Sequence, residues 1–256
     1  MARLSGRTIL VTGASGGIGA VIAARLAEAG AHVIAHHRDA ADRAGAEAAL
    51  AAAPPGQGML LAGDLATLPA TRALWEAALA WRGRIDVLVL NAGLFLDGGI
   101  EDDDAAWDHA WAAQAAVNAR APAALMRRAV AHWQGSGGIL ITLSSWVAER
   151  GASSPRHIAY AATKAAVRAA AQGIATAHAA DGVLSYVVAP GVVRAGMSQR
   201  AAGGDAATEA AITAGLAMRE WVPPGEIAEL VAFLATGSAR HLSGATLDIN
   251  GATYLR

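Results

Sequence analysis

The chain has 256 residues, of which 54% are hydrophobic, 16% charged and none cysteine. At that length one compact domain buries about three quarters of its unfolded surface, and the lack of cysteine excludes a disulfide framework or a thiolate metal site. With 20 Lys and Arg against 21 Asp and Glu, formal net charge −1, no field exists to wrap a polyanion, and nucleic acid is not an expected partner.

Short apolar runs alternate with helical patterns from the start, the mark of parallel strands joined by crossover helices. Strands are predicted at 7–12, 31–37, 58–62 and 85–90, with Ala-rich helices at 17–29, 40–53 and 67–81 between them. A long helix follows at 103–133, then a strand at 138–144, a helix at 157–179 and a strand at 183–189. Pro122 is expected to kink the long helix. An irregular stretch at 192–222 precedes a helix at 225–236 and a last strand at 245–249. The runs TILVTG, AHVIAHH, GMLLAG and IDVLVLN carry the β-branched and leucine content of strands buried on both faces. The expectation is an α/β fold: a Rossmann-like, doubly wound, seven-stranded parallel sheet flanked by helices, in a single domain over 1–256. Pro54–Pro55 and Pro223–Pro224 read as turns, not linkers.

Much of the apolar excess is alanine, 69 residues, and Arg or Asp interrupts every long apolar stretch before it could span a bilayer. The opening MARLSGRTILVTG reads as a strand approach and not as a leader, so a cytoplasmic location and no membrane partner are expected.

Directly after the first strand comes Thr12-Gly13-Ala14-Ser15-Gly16-Gly17-Ile18-Gly19, and directly after it an apolar helix. Glycines permit a tight turn and close approach of backbone N–H groups to a pyrophosphate, while the helix start presents partial positive charge to it. The loop lacks the GK[ST] ending of a phosphate-binding NTPase, which disfavours ATP chemistry. Further on, Tyr160 and Lys164 stand four residues apart, one helical turn, on one face. A phenol titrating near 10 is a poor acid-base catalyst at neutral pH, and a nearby cation lowers that value. Lys164 is the only lysine, 19 of the 20 basic residues being arginine, so this position demands an ammonium group.

The loop resembles the TGxxxGxG motif, and Tyr160-Ala161-Ala162-Thr163-Lys164 the YxxxK motif, of the short-chain dehydrogenase/reductase family in its single-domain branch; the likeness runs over nearly the whole chain. The resemblance implies a catalytic set of Asn118, Ser145, Tyr160 and Lys164. Ser144 is the alternative serine, and its other reading is a strand-end hydroxyl bonded to backbone. Ser145 precedes Tyr160 by 15 residues, two more than is common in the family, which implies a small insertion between them. In the implied chemistry Tyr160 protonates a carbonyl oxygen as hydride arrives, Ser145 hydrogen-bonds that oxygen, Lys164 binds the nicotinamide ribose and Asn118 completes a proton relay.

For the cofactor the resemblance implies contacts from Gly13, Ser15, Gly17, Ile18 and Gly19, from Asp64 and Leu65 at the adenine, and from Asn91, Ala92 and Gly93 beside the ribose. Tyr160, Lys164, Pro190, Gly191 and Val193 serve the nicotinamide end, where Ala195 stands in place of a threonine common in the family. His37 occupies the position where NAD enzymes carry an acid, and Arg38 follows it, which favours NADP(H) with NAD(H) possible. Asp39 could turn back to a ribose or pair with Arg38.

Residues 195–222 and the loop 146–157 are expected to cover the substrate. Trp146, Phe95, His157, Met197, Met218 and Trp221 are pocket candidates whose other reading is ordinary packing. The implied activity is NADP(H)-dependent hydride transfer between nicotinamide and a small ketone or secondary alcohol, with no metal, in a homotetramer. Alternatives are a 3-oxoacyl-carrier-protein reductase, kept open by Arg127 and Arg128, and an NAD-dependent sugar or alcohol dehydrogenase. A non-catalytic dinucleotide-binding regulator would not need Tyr160 and Lys164, and the related dehalogenases lack the intact glycine loop.

Overall fold

The computed structural model describes residues 4–255. Seven strands form one sheet: β1 (Thr8–Val11), β2 (His32–His37), β3 (Gly58–Ala62), β4 (Val87–Leu90), β5 (Gly138–Leu143), β6 (Val183–Pro190) and β7 (Thr246–Ile249). Their order is β3-β2-β1-β4-β5-β6-β7, and every neighbouring pair is parallel. The order reverses between β1 and β4. In such sheets the crevice beyond the carboxyl ends of the strands at this reversal is where ligands bind.

Alternation along the strands divides the core in two. Ile9, Val11, Val33, Ala35, Val87, Val89, Ile139 and Ile141 face α1 (Gly17–Glu28), α2 (Arg43–Ala49) and, near the other edge, the helix Pro224–Ala235. Leu10, Ile34, Leu88, Leu90 and Leu140 face the opposite layer, α3 (Leu68–Arg82) with the helices Ala121–Trp133 and Ile158–His178. Both faces are covered by helices, so the strands read as continuous apolar runs.

Three elements differ from the sequence expectation. The second helix is shorter than 40–53, because the Asp39 carboxylate accepts from the backbone N–H of Ala41 and Asp42 and holds a turn there. The fourth strand starts at Val87 and not at 85, because the Ile85 backbone is used otherwise: its N–H donates to His132 and its carbonyl accepts from Trp133 Nε1 at 2.7 Å. The long helix is two helices, α4 (Asp104–Ala115) and α5 (Ala121–Trp133), joined by one π turn at Ala116–Arg120. Pro122 has no N–H for the carbonyl four residues back, that of Asn118, and its ring crowds that carbonyl; the wider turn just before it relieves the crowding.

Between Ser145 and Tyr160 the chain forms a short helix α6 (Val147–Arg150) and a 3-10 turn, Pro155–His157, before α7 (Ile158–His178). The irregular stretch contains α8 (Gly196–Ala201) and α9 (Ala206–Gly215), ahead of α10 (Pro224–Ala235). It closes on itself through a bridge between Val193 and Val222 and packs around the buried Ala202, Leu216 and Trp221. Among the described residues no helix is long and apolar enough to cross a membrane.

Leu88 lies in a central strand, fully buried against the α3, α5 and α7 layer. Leu88→Ala is expected to lower the free energy of unfolding by about 2–5 kcal/mol, read by chemical denaturation, because a central strand between two helix layers has little room to collapse.

Candidate active site

The glycine loop is held from beneath before any ligand is considered. Thr12 Oγ1 donates to the Val89 carbonyl and accepts from the N–H groups of Asn91 and Ala92. Asn91 Nδ2 donates to the carbonyls of Thr12 and Gly13 at 2.9 and 3.0 Å, so its side chain fastens the loop to the end of β4. Gly13 has φ +67°, and a Cβ there would sit 2.8 Å from the Ala92 Cα; at Gly19 it would sit 2.1 Å from the Gly13 carbonyl oxygen. Neither position accepts a larger residue.

The outer side of the loop is different. Gly16 starts α1 without a side-chain cap, and both Gly16 and Gly17 are exposed. A Cβ on Gly16 would meet nothing within 4 Å, and one on Gly17 only the Ala195 Cβ at 3.8 Å. That leaves free N–H groups and open room at a helix N-terminus, which fits the diphosphate of a dinucleotide. Ile18 is partly buried, and the Ser15 carbonyl lies so close to Gly45 of α2 that a Cβ there would sit 1.9 Å away.

At the end of β2, His37 is buried, and its Nδ1 donates to the Asp39 carbonyl at 2.8 Å. Arg38 is exposed and paired with Asp39 at 2.9 Å and Asp42 at 3.5 Å. Of the two possibilities for Asp39, the surface pair is the one formed. The hydrogen bond from Arg38 holds the Asp39 carboxyl below its ordinary range. Asp64 is exposed and accepts from the Ala66 N–H, while Leu65 is buried. No sequence pattern marks His36, which turns its ring under the glycine loop, because its partners are distant in the chain.

Beyond the ends of β4 and β5 the polar groups converge. Lys164 on α7 is buried, and its Nζ donates to the Leu143 carbonyl at 2.9 Å. A Cβ on Gly93 would lie 3.4 Å from that Nζ and 3.6 Å from Asn118 Oδ1, which places the segment after β4 beside both polar groups. Asn118, in the π turn, accepts from the Leu94 N–H at 2.7 Å and donates to the Leu94 carbonyl and to Thr163 Oγ1 at 2.8 and 3.1 Å. Its amide therefore braces the segment after Asn91-Ala92-Gly93 against α7.

The two serines divide as their neighbours dictate. Ser144 donates from Oγ to the Lys164 carbonyl at 2.9 Å inside the core, the backbone-bonding alternative. Ser145 hydrogen-bonds the Tyr160 side chain. Burial pushes the Tyr160 phenol up to about 12, with the Ser145 hydrogen bond acting the other way. Burial also pushes Lys164 down to about 8. The Lys164 Nζ is 5.8 Å from the Tyr160 ring centroid, on the same helix face as the spacing requires. In this arrangement desolvation outweighs the Ser145 hydrogen bond, so the phenol is raised and not lowered.

Phe95 meets Tyr160 edge-on at 5.1 Å between ring centroids and His157 at 4.7 Å, so Phe95 lies against the Tyr160 ring and His157 against Phe95. His157 is also 3.4 Å from Asp97. Trp221 belongs to packing instead: it is 2% exposed, donates to Thr213 Oγ1 and lies under Arg194. Trp146 packs against the same cluster and under Arg150 at 4.4 Å. Met197 is partly buried, and Met218 is exposed beside Gly251. Ala195 lies beside Gly17 of the glycine loop, and a Cβ on Gly191 would strike Asn250 at 2.9 Å. Val193 is buried in the bridge to Val222. Among the described residues no cluster of His, Asp and Glu is placed to hold a metal.

Residues 7–205 match the family model described as short chain dehydrogenase. An uncharacterized oxidoreductase of Methylorubrum extorquens is 33% identical over 253 residues, covering 98% of this chain and 99% of that protein. Among solved structures, the reductase LugOII, which catalyses keto-reduction at C1 during lugdunomycin biosynthesis, superposes with a TM-score of 0.85 at 29% identity, covering 99% of this chain and all of that one. The angucycline C-6 ketoreductase LanV, solved with bound NADP, also gives 0.85 at 29% identity, over 98% of this chain and 97% of its own.

Two substitutions separate the serines. Ser145→Ala is expected to lower kcat by about a hundredfold or more, whereas Ser144→Ala is expected to cost stability by about 1 kcal/mol and leave kcat within severalfold of the parent. Steady-state kinetics and denaturation on the pair check both.

Proposed function

The chain belongs to the short chain dehydrogenase family of NAD(P)-dependent oxidoreductases acting on C=O and CH–OH groups, and on that premise we propose that it is an NADP(H)-dependent carbonyl reductase for a small ketone, reversible with the secondary alcohol. The observation that carries this reading is the meeting of Ser145, Tyr160 and Lys164 beyond β5, with the uncapped start of α1 in the same crevice. The structural neighbours named for ketone reduction support the direction.

The backbone at Gly13, Ser15, Gly17, Ile18 and Gly19 would hold the diphosphate. Asp64, Leu65 and Asn91 to Gly93 would flank the adenosine, and Pro190, Gly191 and Val193 the nicotinamide end. When bound, the nicotinamide supplies or accepts hydride. In the reducing direction Tyr160 donates its proton to the carbonyl oxygen while Ser145 hydrogen-bonds that oxygen as charge develops on it. With the phenol pushed up to about 12, Tyr160 is fully in the acid form at neutral pH. Lys164 holds positive charge beside the phenolate left behind and would bind the nicotinamide ribose. Asn118 holds the Leu94 backbone in place, and its own carbonyl, deprived of a helical donor by Pro122, is available to a relay water.

The choice of NADP(H) rests on His37, which puts no carboxylate where a ribose 2′-hydroxyl would meet one, and on the exposed Arg38 next to it. Asp39 turns away onto Arg38, so it does not supply the missing acid. A homotetramer is the expected assembly, and Trp107 on α4, 42% exposed, supplies apolar surface toward it.

A second reading has one observation in its favour. Arg127 and Arg128 join Arg72 and Arg120 along an open groove between α3 and α5, a surface suited to an acidic carrier protein. A 3-oxoacyl group turned over much faster on its carrier than as a free thioester favours that reading, and equal rates exclude it.

Tyr160→Phe is expected to reduce ketone turnover about 10²–10⁴-fold while dinucleotide affinity changes little, measured by NADPH oxidation and by titration calorimetry. Lys164 loses its charge as pH rises through about 8, so kcat/KM for reduction is expected to fall above that pH. NADPH is expected to bind more tightly than NADH, and Arg38→Ala to erase most of the difference; an NADH preference in the parent would refute the cofactor assignment.

A further inference from the structure

His36 sits at the penultimate position of β2 and is 3% exposed. Its two ring nitrogens reach two different elements. The Gly13 N–H donates to Nδ1 at 3.0 Å, and Nε2 lies 2.7 Å from the Gly63 carbonyl. A backbone N–H can only donate, so Nδ1 is the acceptor, the proton is on Nε2, and Nε2 donates to Gly63. Burial lowers the pKa of this imidazole, consistent with a neutral ring.

Gly13 opens the loop that runs to the start of α1, and Gly63 immediately precedes Asp64 and Leu65 beyond β3. Backbone bonds support the same span: Ala14 N–H donates to the His36 carbonyl and Gly63 N–H to the His37 carbonyl. The imidazole thus joins the phosphate end of the crevice to its adenine end across β2. Neither partner can be replaced by solvent, because the ring is buried.

We propose that His36 is a positioning residue for dinucleotide binding, which sets the conformation of the glycine loop by accepting from Gly13, while its bond to Gly63 keeps the proton on Nε2 and leaves Nδ1 free to accept. It acts through those two backbone groups without itself touching the ligand. A residue that could accept from Gly13 but not reach Gly63 therefore retains the loop conformation; one that reaches only Gly63 leaves the Gly13 N–H buried without a partner and the loop free to turn.

The inference rests on the dinucleotide reading above and can fail separately from it. NADPH affinity of the full chain is measured by titration calorimetry for the parent and for His36→Leu, His36→Asn and His36→Gln. The Asn amide oxygen falls near the Nδ1 position, and the Gln amide near the Nε2 position. Expected are a loss of about tenfold in affinity for Leu and for Gln and a return to within about threefold of the parent for Asn. Should the Leu variant fail to fold, the ratio between Gln and Asn decides the matter in the same way. Equal affinities in Gln and Asn, or an Asn variant as weak as Leu, overturn the proposal. A parent protein that binds neither NADPH nor NADH overturns the dinucleotide reading and this proposal with it.

Discussion

The site is organised by a single buried cation. Lys164 is 5% exposed and in the described structure gives its ammonium to the Leu143 carbonyl at the end of β5. A lysine taken out of water loses much of its hydration, and burial alone brings its pKa down to about 8. Its surroundings are polar: Gly93 lies beside both the ammonium and the Asn118 amide, and Ser144 bonds the lysine's own backbone carbonyl. The same burial raises the Tyr160 phenol to about 12. The protein alone therefore holds an acid and a cation, both displaced by desolvation in the direction of their neutral forms.

That arrangement suits reduction better than a pre-formed phenolate does. A proton donor is needed at the carbonyl oxygen, and a phenol that stays protonated at neutral pH is one. In the proposed reduction the cation would act afterwards, when a phenolate must be tolerated in a place that burial makes costly. The glycine loop and this corner lie at the carboxyl ends of adjacent strands, β1, β4 and β5, so the reversal of strand order that opens the crevice also sets the distance between the loop and the phenol. Thr12 and Asn91 fix the loop to β4, Asn118 fixes the segment after β4 to α7, and α7 carries Tyr160 and Lys164. Through the covalent segment 91–94 these hydrogen bonds tie the glycine loop to α7.

Much of this was legible in the sequence because it is local. Strands buried on both faces appear as apolar runs, the glycine spacing sits between a strand and a helix, and Tyr160 and Lys164 share a helix face by spacing alone. The lone lysine also pointed to its own position. What escaped the sequence depends on residues distant along the chain. The π turn arises because Pro122 offers no N–H to Asn118, and the choice between a kink and a wider turn is settled by Asn118 meeting Leu94 and Thr163. The helices of residues 192–222 have no strong periodicity and close around Trp221. The pairing of Arg38 with Asp39 and Asp42, and the ring of His36 between Gly13 and Gly63, are likewise contacts that spacing cannot foretell. The phenol's upward shift was missed for a related reason: spacing placed the cation near, but burial decides which influence is larger.

The chain has three tyrosines, 160, 186 and 254, so ring-carbon-labelled tyrosine gives three resonances, and Tyr160→Phe assigns the one that matters. Its titration by NMR, without and then with saturating NADPH, tests directly whether desolvation governs this buried phenol and keeps it in the acid form that reduction needs. Ionisation close to 12 in the free protein and still above 10 in the complex is the expected result. A phenol that titrates near 10 in both states, indifferent to NADPH, contradicts it.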